Sequence, residues 1–334
     1  MDKNEKLDYF RAYYQTKKII NTNSIHSKMF IEQAYKGNNK WWRVLITTLL
    51  TAGVFIGNFV AYFFMTKEQL EEVYKSMKEI PSNWSLIINL SPFILLLGML
   101  FLLVKTLHNR DILSITTSRN KIDFKRFFFS LGLIVLLSIL GFAVSYFMDS
   151  KGIIWNFNPM KFGLLFLISI LFFPFQIAYE EYLFRGYLMQ QIGILVKNRW
   201  FPLIFTSVMF GLFHSANPEV AKMGFGVMAF YIGTGFFLGI ITLMDESMEL
   251  ALGFHLGNNL IAALLITSDF SALQTDAVFR YSGVENPVDM LNEMLVSIAI
   301  VYPILLFIFA KKYNWTNWST KLSGKVENQS INNI

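Results

Sequence analysis

The sequence predicts an all-α polytopic membrane protein of about eight transmembrane helices, and three observations carry that expectation. Of 334 residues, 54% are hydrophobic, 16% are charged and 34 are phenylalanine. The mean hydropathy is +0.44, outside the range of ordinary soluble domains. Eight apolar runs recur along the chain, most of them near the roughly 20 residues that span a bilayer. Trp41, Trp42, Trp84, Trp155, Trp200, Trp315 and Trp318 all fall at or just beyond the ends of those runs, at the headgroup level that indole prefers.

Residues 1–40 are polar and basic, interleaved with Tyr9, Phe10, Tyr13 and Tyr14. They read either as an interfacial amphipathic helix or as an ordinary cytosolic lead-in. No signal-peptide pattern precedes the first apolar run. A membrane domain is expected over 41–312 and a polar cytosolic tail over 313–334. The first run covers about 41–64, followed by a mixed-charge loop and a second run at 86–104. After a basic loop the third covers 127–148. The fourth begins near Phe162 and its helical pattern can continue to about Gln190. The fifth is short, at 201–214, and the sixth covers 223–244. The seventh is expected at 250–267 and the eighth at 294–310.

Orientation follows from the lysines and arginines. With the N-terminus inside, the cytosolic segments hold 21 of them and the outer loops 7. Both termini of this multi-pass chain are therefore expected in the cytosol, with the chain in the cell membrane. The loop at 245–249 is the exception, because its only charges are acidic. The formal charge of +6 is accounted for by these loops, so no nucleic-acid partner is implied. The absence of cysteine excludes disulfides, thiolate metal sites and a cysteine nucleophile.

Ionisable residues inside apolar runs are costly, and they mark functional sites by default. Here they gather in about 160–268, on the fourth, fifth and seventh helices. Glu181 and Arg185 are spaced i,i+4 and share a helix face, so that pair reads as structural. Glu180 lies about 100° further round and is expected to face a cavity. His214 ends the stretch that begins at Phe210. His255 and Asn259 stack on one face of the seventh helix; Asn258 shares nearly the same face, and spacing does not choose between the asparagines. His26 and His108 fall in cytosolic segments and receive no role. At 1.5 Å per residue from the assumed cytosolic ends, Glu180 lies at about 15 Å, His255 at about 8 Å and His214 at about 21 Å. Helix six is glycine-rich, and Gly235 with Gly239 forms a small-xxx-small pair suited to close packing.

Glu-Glu-x-x-x-Arg, Phe-x-x-x-His and His-x-x-x-Asn, in that order on successive helices, resemble the CAAX protease and bacteriocin-processing family of intramembrane proteases. The resemblance covers about residues 160–265. It implies that Glu180 and His214 activate the attacking water and that His255 and Asn259 stabilise the oxyanion. Glu181 and Arg185 would support the site, and Phe210 would pack beside it. The residue types suit that chemistry: a carboxylate can take a proton from water, and His and Asn donors can hold an oxyanion. The cofactor is either none, which is preferred, or zinc held by Glu180, His214 and His255. The His-Glu-x-x-His pairing of common zinc proteases is absent.

The resulting expectation is an endopeptidase acting on a peptide or membrane-protein substrate near the cytosolic leaflet. Richness in Lys, Asn and Ile suggests a bacterial source, where leader peptides or bacteriocins are candidate substrates. A non-catalytic scaffold holding a membrane partner through helices one to three is the alternative. A proton-coupled transporter is a further one, disfavoured by the lack of inverted repeats.

Overall fold

The computed structural model describes residues 29–80, 82–268, 271–281 and 287–328. The amphipathic-helix expectation for the first 28 residues lies outside them. Among the described residues, six helices are long and apolar enough to cross a membrane: Trp41–Phe64, Ser82–Thr106, Phe124–Met148, Pro159–Val196, Val227–Asp245 and Met294–Lys312. The chain is a membrane-integral, all-α protein. The fifth and seventh runs also form helices, Trp200–Leu212 and Glu249–Leu264, but shorter ones of 13 and 16 residues.

In chain order the helices are α1 (Trp41–Phe64), α2 (Lys67–Glu79), α3 (Ser82–Thr106), α4 (Ile112–Thr116), α5 (Phe124–Met148) and α6 (Pro159–Glu181). A π-helical segment, Tyr182–Leu188, carries α6 into α7 (Met189–Val196). Then follow α8 (Trp200–Leu212), α9 (Pro218–Met223), α10 (Val227–Asp245) and α11 (Glu249–Leu264). The chain closes with α12 (Pro287–Val296), α13 (Tyr302–Lys312) and α14 (Trp318–Ser323).

Several connections carry structure that hydropathy does not report. The mixed-charge loop after α1 is the helix α2, started by a capping box in which Thr66 and Gln69 bond each other's backbone N–H. The seventh run stops at Leu264 and turns into strand β2 (Ile266–Ser268). With β1 (Ile153–Trp155) and β3 (Phe279–Tyr281) it forms a small sheet in the order β1-β3-β2, β1 antiparallel and β2 parallel to the central strand. The sixth run starts late, at Val227, because Gly224 takes a left-handed turn at φ 77° between α9 and α10.

The two ends of the bundle differ chemically. One end, the basic face, gathers the 107–123 segment, residues 197–199, the 245–249 loop and the C-terminal segment. The acidic 245–249 loop is neutralised there. Arg119 pairs with Asp245 at 3.0 Å and with Glu249 at 3.1 Å, and Arg126 also binds Asp245. Arg199 pairs with Glu32 and lies 3.5 Å from Glu246. The loop that breaks the charge pattern in sequence thus sits among arginines of the same face. Burial pushes the Glu246 carboxyl up to about 7, against the opposing pull of Arg199 and Lys321. The opposite face carries α2, the sheet, α9 and the 271–281 segment.

Close backbone approach sets the packing around the polar helices. A Cβ on Gly235 would lie 2.6 Å from the Ser207 carbonyl oxygen, and one on Gly239 would meet Leu203 at 2.5 Å. The small-xxx-small pair therefore joins α10 to α8, as its spacing predicts. Gly253 on α11 does the same against α5, where a Cβ would stand 2.1 Å from the Phe127 carbonyl oxygen.

Candidate active site

Glu180 and Glu181 are the last two residues of α6 and begin the turn that widens into the π segment. Such widened turns recur at functional sites. Arg185 sits within it, fully buried, and donates from Nη1 to Glu181 Oε1 at 2.8 Å and from Nη2 to the Gly235 carbonyl at 3.1 Å. Glu181 is fully buried as well. The i,i+4 pairing read from the sequence is present. It is not the whole of Glu181's environment.

His255, on α11, donates from Nδ1 to the same Glu181 oxygen at 2.8 Å. Its other nitrogen, Nε2, faces Glu180 Oε2 at 3.6 Å. One imidazole therefore lies between the paired carboxylates, held on one side and presented to the other. A carboxylate on Nδ1–H fixes the ring's tautomer and orientation. Glu180 accepts from Gln176 Nε2 at 3.1 Å through Oε1. Its buried Oε2 has no hydrogen-bond partner among the described residues. That oxygen is the one nearer His255.

His214 follows α8 by two residues. Its Nδ1 bonds the Phe210 carbonyl oxygen at 2.7 Å, so Nδ1 carries the proton and Nε2 is the unprotonated nitrogen in the neutral ring. Tyr231 of α10 stacks on the imidazole with centroids 4.4 Å apart and planes inclined by 20°. The Tyr231 hydroxyl donates to Glu219 Oε1, while Glu219 Oε2 accepts from the Ala272 N–H at 2.9 Å. Phe210 joins the parts. Its ring lies 4.5 Å from the Arg185 guanidinium, 4.9 Å from the His214 ring and 5.8 Å from the His255 ring.

Asn259 is half-buried one turn beyond His255, and Asn258 Nδ2 donates to its Oδ1 at 3.3 Å. The two asparagines thus act on each other, and the geometry does not separate their roles. Gln176, Glu219 and Tyr231 escaped the sequence reading. Gln176 had a signal, since it stands one turn before Glu180 in an apolar run. Tyr231 had none, because its stacking on His214 depends on how α8 and α10 cross.

The zinc alternative can be tested against the donor set. Among the described residues, no group of three or more His, Cys, Asp or Glu side chains is placed to hold a metal ion. Glu180, His214 and His255 do not converge as three ligands in this arrangement, and His255 has both nitrogens turned to carboxylates. A separate apolar cavity of about 230 Å³ is lined by Phe127, Pro174, Ile177, Tyr182, Leu252 and Leu256, and none of the site residues lines it.

Residues 160–261 match the family model described as type II CAAX prenyl endopeptidase Rce1-like. The chain carries an Rce1-like domain. The match begins at the second residue of α6 and ends within α11, so it spans every expected site residue. At family level the match supports a protease-type membrane protein. A Bacillus subtilis (strain 168) protein described as uncharacterized, YyaK, is 27% identical over 245 residues, covering 70% of this chain and 80% of that one. No solved structure matches the chain.

Proposed function

We propose that the chain is an intramembrane endopeptidase in which Glu180 is the general base. The observation that carries this reading is the placement of His255 between Glu181 and Glu180. A buried, oriented imidazole beside a second carboxylate with an unpartnered oxygen is a costly arrangement to keep inside a membrane protein. It is what proton transfer and oxyanion stabilisation require.

In this reading Glu180 Oε2 takes a proton from water as the water oxygen bonds to the scissile carbonyl carbon. His214, with Nε2 unprotonated, helps to orient that water. The carbonyl π electrons move onto oxygen, and the resulting oxyanion is met by the Asn259 amide and by Nε2–H of a doubly protonated His255, whose Nδ1–H stays on Glu181. Collapse of the tetrahedral intermediate breaks the C–N bond, and Glu180 returns its proton to the leaving nitrogen. Glu181 and Arg185 hold His255 in register.

Comparison of peptide termini in membranes containing the wild-type chain or Glu180→Gln tests the reading. New termini present with the wild type and lost with the variant are expected. Identical sets of termini, with both proteins inserted at equal levels, would refute it.

A further inference from the structure

We propose that an anionic phospholipid of the leaflet at the basic face binds this chain, with one acyl chain in the apolar cavity between α5, α6 and α11 and its headgroup beside Lys121 and Lys125. The site goes beyond the endopeptidase reading and does not depend on it.

The first observation is where the cavity opens. It extends along α11 from Glu249, at the basic face, to Leu256, about 10 Å further into the bundle. Ile177 and Leu256 are buried in its inner wall, while Ile122, Phe124 and Pro174 are exposed at its mouth. Ile122 and Phe124 lie at the basic face, and Pro174 lies well inside the membrane-spanning α6. The mouth thus runs from headgroup level into the acyl-chain region. None of the candidate active-site residues lines the cavity, so the bilayer is the source of its occupant.

The second observation is the chemistry of the lining. The cavity holds about 230 Å³, and apolar cavities of about 150 Å³ already stay dry and accept benzene. Its few polar side chains are engaged elsewhere. The Thr116 and Tyr182 hydroxyls bond each other at 2.8 Å. Glu249 accepts from Arg119 through Oε2 at 3.1 Å and from the Asp123 N–H through Oε1 at 3.0 Å. These side chains leave a water no free partner, and a peptide backbone would bury its own polar groups unpaired. A hydrocarbon chain meets neither cost.

The third observation is charge. Lys121 and Lys125 flank Ile122 and Phe124 in the chain, and both are exposed. The acids around them are taken: Asp123 by Arg126 at 3.3 Å, Asp245 by Arg119 and Arg126, and Glu249 by Arg119. Neither lysine has an acidic partner among the described residues. A lysine there can lay its stem along the apolar mouth and hold its ammonium at headgroup level, where such cations favour anionic lipid.

The occupant would touch the frame of the candidate site. Leu252 and Leu256 bracket His255 on α11, and Ile177 and Ala178 precede Glu180 on α6. A chain in the cavity packs the crossing of α6 and α11 on which the placement of His255 against Glu180 depends.

The test is photocrosslinking of the full chain in phosphatidylcholine vesicles that carry a minor fraction of phosphatidylglycerol with a diazirine near the end of one acyl chain. Adducts mapped by mass spectrometry should concentrate on Phe127, Leu252 and Leu256. The same diazirine on phosphatidylcholine should give a several-fold lower yield there. Ala178→Phe, which fills the cavity, should remove the inner adducts; if it fails to insert, Leu252→Trp narrows the same space from α11. Lys121→Glu with Lys125→Glu, both on the surface, should bring the phosphatidylglycerol yield down to that of phosphatidylcholine. Adducts spread over the lipid-facing sides of α1 and α3, with none on Leu252 or Leu256, would mean annular lipid only and would overturn the proposal. So would inner adducts undiminished in a folded Ala178→Phe. Equal yields from the two lipids in the wild type would overturn the headgroup assignment.

Discussion

His255 donates its Nδ1 proton to Glu181 Oε1 across 2.8 Å, joining α11 to the end of α6 inside the bundle. Because Arg185 binds the same oxygen at 2.8 Å, Glu181 is both half of a buried ion pair and the residue that aims the imidazole.

Glu181→Gln should therefore have two effects. Stranding the buried Arg185 should destabilise the protein by about 3–5 kcal/mol. Turnover per folded molecule should also fall, on the order of 10–100-fold, as it does when a histidine loses the partner that orients it. Thermal melting in detergent, with turnover normalised to folded protein, separates the two. Unchanged turnover in the folded fraction would show that Glu181 is structural only.

Tyr231 should matter through its ring. Tyr231→Phe keeps the face that stacks on His214 and loses only the hydroxyl's bonds to Glu219 and Asn217. Tyr231→Ala removes the stack and should lower kcat by on the order of 10²-fold, the usual consequence of misplacing a reacting group by about an ångström. KM should change little in both. Equal losses in the two variants would mean that the hydroxyl, not the stack, is what counts.

The candidate residues stood out in the sequence because ionisable residues are rare in apolar helices, and the i,i+4 spacing of Glu181 and Arg185 is a contact in the structure. The Glu181–Arg185 pair was readable in this way. Which carboxylate holds His255 was not, because that depends on how α6 and α11 cross. The same limit hid Tyr231 and Glu219. Among the helices, α2 was read as a loop because its pattern is polar, and a capping box is a weaker signal than twenty apolar residues. The acidic 245–249 loop looked anomalous until Arg119, Arg126 and Arg199 were seen around it.

His108, to which the sequence reading gave no role, is a buried tie between helices. Its Nδ1–H donates to the Asn38 carbonyl at 2.9 Å, and Nε2 accepts from Thr47 at 3.0 Å and Tyr187 at 2.9 Å. Burial holds its pKa below the usual 6.5, and Arg110 and Arg43 add to that against the Asn38 bond. A lowered pKa means that the unfolded chain binds the proton more readily. The stabilisation is thus full above about pH 6.5 and is lost as the pH falls from there through the lowered folded value. Melting temperature should drop between pH 7.5 and pH 5.5, and the drop should shrink in His108→Gln. An unaltered drop would show that other groups set the acid sensitivity.

Gly253→Ala should be destabilising by about 1–3 kcal/mol, since the added carbon meets backbone rather than a movable side chain. Gly132→Ala on the facing α5 is the control, because a Cβ there meets nothing within 4 Å. Helix propensity should make that control neutral or slightly stabilising. Thermal melting of both variants reads the difference, and equal stability would mean that α5 and α11 separate more easily than their packing indicates.

The most direct test of the central claim is the rate at which purified Glu180→Gln cleaves a peptide bond that the wild-type chain cleaves. The variant keeps the side chain's size and its bond to Gln176 while removing the base. The account predicts a fall of about 10²–10⁴-fold with folding and insertion intact. A folded Glu180→Gln that retains wild-type turnover would contradict it.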